Sequence, residues 1–128
     1  MHDPWNPTED EVRAWAYDAG TLEPEQDWHL ALPDTGFEEL YLDLVADPAC
    51  PKHDYFLWVL YLLVGDAVRS GYRATPRERV GALLDAARAR RSPELELWTE
   101  RSRALMARPD IFDYDLWCGG GLARTPRE

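Results

Sequence analysis

Apolar positions along this chain fall into one long block and several helical stripes. The block is DYFLWVLYLLVGDAVRSG, residues 54–71, in which the ten residues from Tyr55 to Val64 are all apolar. A run of this length, rich in Leu and continuing through Ala67 and Val68 to Ser70-Gly71, exceeds an ordinary strand and predicts a buried helix. Asp54 at its start and Arg69 in its last turn suit the helix macrodipole, and Gly71 suits a left-handed stop. The run is too short to cross a bilayer, and Asp54 and Asp66 bracket it, so the helix is expected inside protein. Its less apolar strip is Asp54, Trp58, Tyr61, Gly65 and Arg69. Gly65 reads as a packing notch in preference to a binding groove.

The remaining stripes read as cover for that helix. Residues 1–7 are a Pro-punctuated lead-in, with Trp5 placed to tuck onto the body. Thr8 and Glu11 have capping-box spacing, and Val12, Trp15, Ala16 and Ala19 follow helical spacing up to Gly20. Residues 21–33 show no sustained period and are expected as an irregular connection with Trp28 packed inward. Asp34 or Thr35 is positioned to cap a second helix whose stripe is Phe37, Leu40, Tyr41, Leu44 and Val45. Asp47-Pro48 and Cys50-Pro51 interrupt the chain before the central helix. After Gly71, Thr75-Pro76 and Ser92-Pro93 each read as a cap followed by Pro at the first helical position. The first of these helices points Val80, Leu83, Leu84 and Ala87 inward, the second Leu95, Trp98, Leu105 and Met106. The short Arg90-Arg91 connection makes the pair an antiparallel hairpin, and Pro109 ends it. Ile111, Phe112, Leu116 and Trp117 are too apolar to hang free, so a final turn should dock on the core before a flexible stop at Gly119–Gly121. TPRE recurs at 75–78 and 125–128. The fold class expected is all-α: one domain over residues 1–128, a bundle of four to six helices around residues 54–70.

Composition changes this picture in one respect. The chain of 128 residues is 45% hydrophobic and 30% charged, as a folded domain is. Its net charge is −10, and the imbalance is local. Residues 1–54 carry 14 Asp/Glu and two Lys/Arg, whereas residues 55–128 carry ten and twelve. Such acidity argues against plain nucleic-acid binding and against anionic membranes, and it permits a basic protein partner. The start, MHDPWNPTED, has neither a basic nor an apolar segment of the secretory kind. Cys50 and Cys118 do not make a disulfide framework, and free thiols in the cytoplasm are expected.

No residue pattern specifies catalysis, cofactor binding or metal binding. Cys50-Pro-Lys-His53 offers C-x-x-H spacing without a second pair, and Cys118 stands alone as a third thiol or imidazole candidate. Cys118-Gly-Gly-Gly has the elements of a nucleophile beside backbone donors, but no histidine is assigned to it. Asp113 with Asp115, and Asp43 with Asp47, are carboxylate pairs for which a solvated surface is the commoner explanation. Arg88, Arg90, Arg91, Arg101 and Arg103 gather around the hairpin, where a solvated face near a helix end accounts for them.

The acidic side of the second helix carries the most weight. Glu38, Glu39, Asp43 and Asp47 lie opposite its apolar stripe, and Leu42 falls among them at helical angles. A dry centre with a charged rim is how many interfaces are built. The expectation is therefore a non-enzymatic, cytoplasmic interaction domain without a cofactor. It would be an adaptor, or a neutraliser of the immunity-protein or antitoxin kind, that binds a basic protein surface through Glu38, Glu39, Leu42, Asp43 and Asp47 with Trp58 and Tyr61. The alternatives are a small enzyme or ligand binder using Cys118 or the Asp113/Asp115 pair, and an acidic mimic of nucleic acid.

Overall fold

The computed structural model describes residue 1 and residues 3–124. The second TPRE, 125–128, lies outside the described residues. The architecture is all-α. Its helices are α1 (Glu9–Ala16), α2 (Glu38–Ala46), α3 (His53–Arg69), α4 (Arg77–Arg88), α5 (Pro93–Ala107) and α6 (Tyr114–Trp117), with 3-10 turns at Trp28–Leu30, Leu32–Asp34 and Pro109–Ile111.

The apolar block is the axis of the bundle. Eleven of the 17 residues of α3 are buried, including Phe56, Leu60, Leu63 and Val64. It packs against α2, α4, α5, α6 and the two turns of residues 28–34. Each neighbour lends one apolar face, so the central helix is covered on nearly every side. Its C-terminus is closed by local bonds, with Ser70 Oγ donating to Ala67 O (3.2 Å). Gly71, at φ +63°, turns the chain so that Tyr72 N–H donates to Ala67 O (2.7 Å) and Gly71 N–H to Val68 O (3.1 Å).

The caps decide where the other helices begin. Thr8 Oγ1 accepts from Glu11 N–H (3.1 Å) while Glu11 Oε1 accepts from Thr8 N–H (2.9 Å), the reciprocal box expected from the sequence. Ser92 Oγ accepts from Leu95 N–H (3.3 Å) and opens α5 as expected. Three expectations are corrected. First, α1 stops at Ala16: the Asp18 carboxylate accepts from Gly20 N–H (3.2 Å) and draws the chain into a turn that leaves Ala19 exposed. Second, neither Asp34 nor Thr35 caps α2. The Thr35 hydroxyl bonds Leu32 O (2.7 Å) and the Tyr41 hydroxyl (2.5 Å), and the helix begins only after Phe37. Third, Thr75 does not cap α4. Pro76 is itself the cap, extended at ψ 146°, and its carbonyl accepts from Val80 N–H (3.1 Å).

The lead-in is anchored differently from the expectation too. Trp5 is 55% exposed. Pro4 holds the segment instead, its carbonyl accepting from the buried Trp28 indole (2.7 Å). Residues 21–33 are irregular, with Trp28 fully buried, as their lack of period implies.

Candidate partner-binding surface

The acidic face of α2 is closed by the rest of the chain. Leu42, expected at its centre, is 0% exposed and belongs to the core. Six of the nine α2 residues are buried, because α2 lies between α1, α3, α4 and α5 and so has little outer side to spare. The carboxylates are met by cations from the α4–α5 hairpin. Arg79 pairs with the buried Glu38. Arg90 reaches both Glu39 Oε2 (2.7 Å) and Asp43 Oδ1 (3.0 Å), and also donates to Ala86 O (2.8 Å). The two carboxylates more than offset the desolvation of its guanidinium, which holds its proton more tightly than usual. Asp47 accepts from the Tyr17 hydroxyl (2.5 Å) and from Ala49 N–H (2.9 Å). Those bonds lower the Asp47 pKa and push the Tyr17 phenol up to about 12. Leu42 and Glu38 of the expected interface are thus internal, while Glu39 and Asp43 stay exposed and paired to Arg90, the member of the expected arginine cluster that reaches them. Arg103 pairs with Asp85 (2.9 Å), and Arg101 donates to the Tyr61 hydroxyl (3.2 Å).

Trp58 and Tyr61 are likewise covered, by the C-terminal segment. Tyr61 is 1% exposed and meets Trp117 edge-on, with ring centroids 5.3 Å apart. Trp58 is half-buried. His29 stacks on it at 3.8 Å, and its indole donates to Cys118 O (2.9 Å). Gly65 is where that segment seats. A Cβ there would stand 3.0 Å from Trp117 Cβ, 3.2 Å from Cys118 Sγ and 3.3 Å from Phe112 Cε1. The notch is therefore filled from within. Residues 119–121 pack with it, against Trp58, Asp115 and Leu116, which corrects the reading of them as a loose stop.

These contacts also settle the geometry of the thiols and the acid pairs. Cys118 is buried beside Asp66, and burial, followed by that carboxylate, pushes its thiol up to about 11. A nucleophilic thiol requires the opposite shift. Cys50 Sγ, also buried, points to Ala16 O (3.6 Å), and His53 uses Nδ1 on Cys50 O (3.0 Å) and Nε2 on Asp54 (2.9 Å). Asp113 caps α6 by accepting from Leu116 N–H (3.2 Å). Among the described residues no three His, Cys, Asp or Glu side chains group as a metal site would need. None of the helices there is long and apolar enough to cross a membrane.

Charge without a counter-ion is concentrated elsewhere, on α1 and the segment that follows it. No Lys or Arg occurs between Arg13 and Lys52. Glu9, Asp18, Glu25, Asp27 and Asp34 are all exposed, and none lies within ion-pairing distance of a Lys or Arg of the described residues. Beside Asp18 lies a recess of about 390 Å³ between α1 and residues 18–24, lined by Met1, Ala14, Trp15, Leu22 and Pro24 together with Glu11, Asp18 and Thr21. Leu22 stands 86% exposed at its lip. The recess is held open by specific contacts. Trp15 Nε1 donates to Leu22 O (3.0 Å) and fixes the loop against α1, while the Trp15 ring packs edge-on to Trp28 at 4.8 Å and Tyr55 at 4.9 Å. Lys52 Nζ sits 3.7 Å over the Trp15 ring and donates to Trp15 O (2.8 Å), so the nearest cation is already engaged. Asp18 is held ionised by Thr21 and Gly20, with a lowered pKa. Sequence reasoning passed over Leu22, Asp18 and Glu25 because the segment has no period. The signal that was there is the long stretch without a cation.

No protein-family model matches the chain, and neither a curated protein nor a solved structure matches it.

Proposed function

We propose that this chain is an acidic protein-interaction domain that masks a basic surface on a protein partner, as an adaptor or as a neutraliser of the immunity-protein or antitoxin kind. One observation carries the reading: Glu9, Glu25, Asp27 and Asp34 are exposed with no Lys or Arg of the described residues within ion-pairing distance, on the same segments that form a largely apolar recess beside Asp18. A surface of one sign speeds encounter with a surface of the other, and an apolar centre then slows dissociation. The binding surface on this reading is α1 with residues 18–34, in place of the α2 face that the sequence pattern favours.

The test is kinetic. Wild-type protein and a Glu9→Lys, Glu25→Lys, Asp34→Lys variant are compared for capture of basic proteins, with a Glu39→Lys variant as the control for the α2 face. The on-rate of the captured protein is expected to fall about ten-fold or more between 50 and 300 mM salt, because screening shortens the reach of exposed charge. The triple reversal should abolish capture, and the α2 reversal should leave it within about two-fold. A partner whose on-rate ignores salt, or which responds to Glu39 and not to the other three, would end this reading.

A further inference from the structure

The recess between α1 and residues 18–24 has walls and a rim of different chemistry. Met1, Ala14, Trp15, Leu22 and Pro24 give it a mainly carbon lining, and Glu11, Asp18 and Thr21 complete it. The polar groups of Trp15 are already satisfied: its indole N–H is bonded to Leu22 O, and its carbonyl accepts from Lys52. No donor or acceptor of Trp15 is therefore left for a polar occupant, and a hydroxyl or amide set against the indole would lose its water without replacement. At about 390 Å³ the space is larger than one aliphatic side chain and smaller than most organic cofactor sites, and it suits a single large apolar side chain with part of its backbone. The rim is the reverse. Asp18 is fixed at the edge by Gly20 N–H and Thr21, and Glu25 and Asp27 follow within the same segment, all three exposed. Leu22, projecting into solvent at the lip, is free to lie over whatever enters.

From this division we infer that the recess receives one large apolar side chain of a partner segment in which Lys or Arg residues stand on both sides of that anchor. The inference rests on the interaction reading above and adds the chemistry of the bound segment. The anchor would bury its carbon against Trp15 and Leu22, and the flanking cations would meet Asp18 on one side and Glu25 or Asp27 on the other. Lys52 donates to the Trp15 carbonyl, lies over its ring and also attracts Asp18, so an incoming cation shares that carboxylate with it.

The experiment uses the full chain and two blocked pentapeptides, acetyl-Lys-Arg-Leu-Arg-Lys-amide and the same peptide with Ser in place of Leu, titrated while amide resonances are followed by NMR. The Leu peptide should shift the amides of Ala14, Asp18 and Leu22 and bind about ten-fold more tightly than the Ser peptide. Ala14 is exposed on α1, so Ala14→Trp fills the recess from outside the core and should erase the preference for Leu while a weak, salt-sensitive attraction persists. Should that variant fail to fold, Leu22→Ser serves in its place, with the Leu peptide expected to bind about three-fold more weakly than to wild type. Equal binding of the two peptides to wild type refutes the anchor and leaves the broader interaction reading standing. Binding of neither peptide, with a basic protein still captured through Glu9 and Glu25, refutes it as well. Binding of neither, with no basic protein captured, removes both readings. Self-association of the protein that Ala14→Trp abolishes would assign the recess to a second copy and overturn the inference.

Discussion

The α2 face and the α1/18–34 surface are both acidic in the sequence and have opposite fates in the fold. On α2, Glu38, Glu39 and Asp43 are answered by Arg79 and Arg90 from a hairpin some forty to fifty residues further along the chain, and Leu42 between them is buried. On α1 and residues 18–34, Glu9, Glu25, Asp27 and Asp34 have no Lys or Arg of the described residues within ion-pairing distance, and Leu22 stays in water. The difference teaches that a run of acids announces an interface only after the fold has distributed its arginines. An exposed apolar residue beside carboxylates that the chain itself leaves unanswered is the better sign.

The comparison can be broken most directly at its two leucines. Leu42→Ala should cost about 2–5 kcal/mol in denaturant unfolding, the range for a fully buried Leu. Leu22→Ala should fall within about 0.5 kcal/mol of wild type. Equal losses at the two sites would remove the distinction. Gly65→Ala lies outside both acidic regions and serves as a pure packing control. Its methyl would meet Trp117 and Cys118, so a loss of about 1–3 kcal/mol is expected in the same unfolding experiment, with peptide binding unchanged in the folded fraction.

Smaller effects sharpen the contrast. Arg90→Ala removes one cation from two exposed carboxylates, and a loss of about 1 kcal/mol is expected, since exposed pairs contribute about 0–1 kcal/mol each. Arg13→Ala, which touches only Asp10 by ion pair, should change stability by less than about 0.5 kcal/mol. The smallest effect is a pH dependence. The folded Tyr17 phenol titrates near 12 and an unfolded tyrosine near 10. The Tyr17–Asp47 bond is therefore fully stabilising below the unfolded value and is lost as pH rises through the folded one. Tyr17→Phe should flatten the decline of stability between about pH 10 and 12, and ultraviolet titration should show the variant one late-ionising tyrosine short of the wild type, in which burial raises Tyr41, Tyr55 and Tyr61 as well. A profile identical in the two proteins would remove Asp47 from the closed face.

Much of the fold was legible in the sequence because one element dominates it. The apolar block at Tyr55–Val64 ran longer than an ordinary strand and so read as a buried helix, and the capping pairs Thr8/Glu11 and Ser92/Leu95 fixed two helix starts through bonds between near neighbours. The α2 and α4 starts were misplaced where a hydroxyl found a competing partner or a proline carbonyl took over the cap. The site was less legible. Helical angles put Leu42 opposite the Phe37–Val45 stripe, but a helix surrounded by four others buries both sides. Which carboxylates keep their charge depends on the reach of Arg79 and Arg90, a long-range contact that no local pattern encodes. The aromatic group of Trp15, Trp28, Tyr55 and Trp58 with His29 is likewise assembled from separate segments.

The filled notch at Gly65 bears on how the molecule is made. A ribosome delivers α3 well before it delivers Phe112, Trp117 and Cys118, so a nascent chain halted between the two holds a finished central rod with one flank bare. For that interval Tyr61 and Trp58 are sticky ground for chaperones or for neighbouring nascent chains. The six residues after Phe112 then close that flank, so the covering of Trp58 waits on Cys118, 60 residues further along the chain.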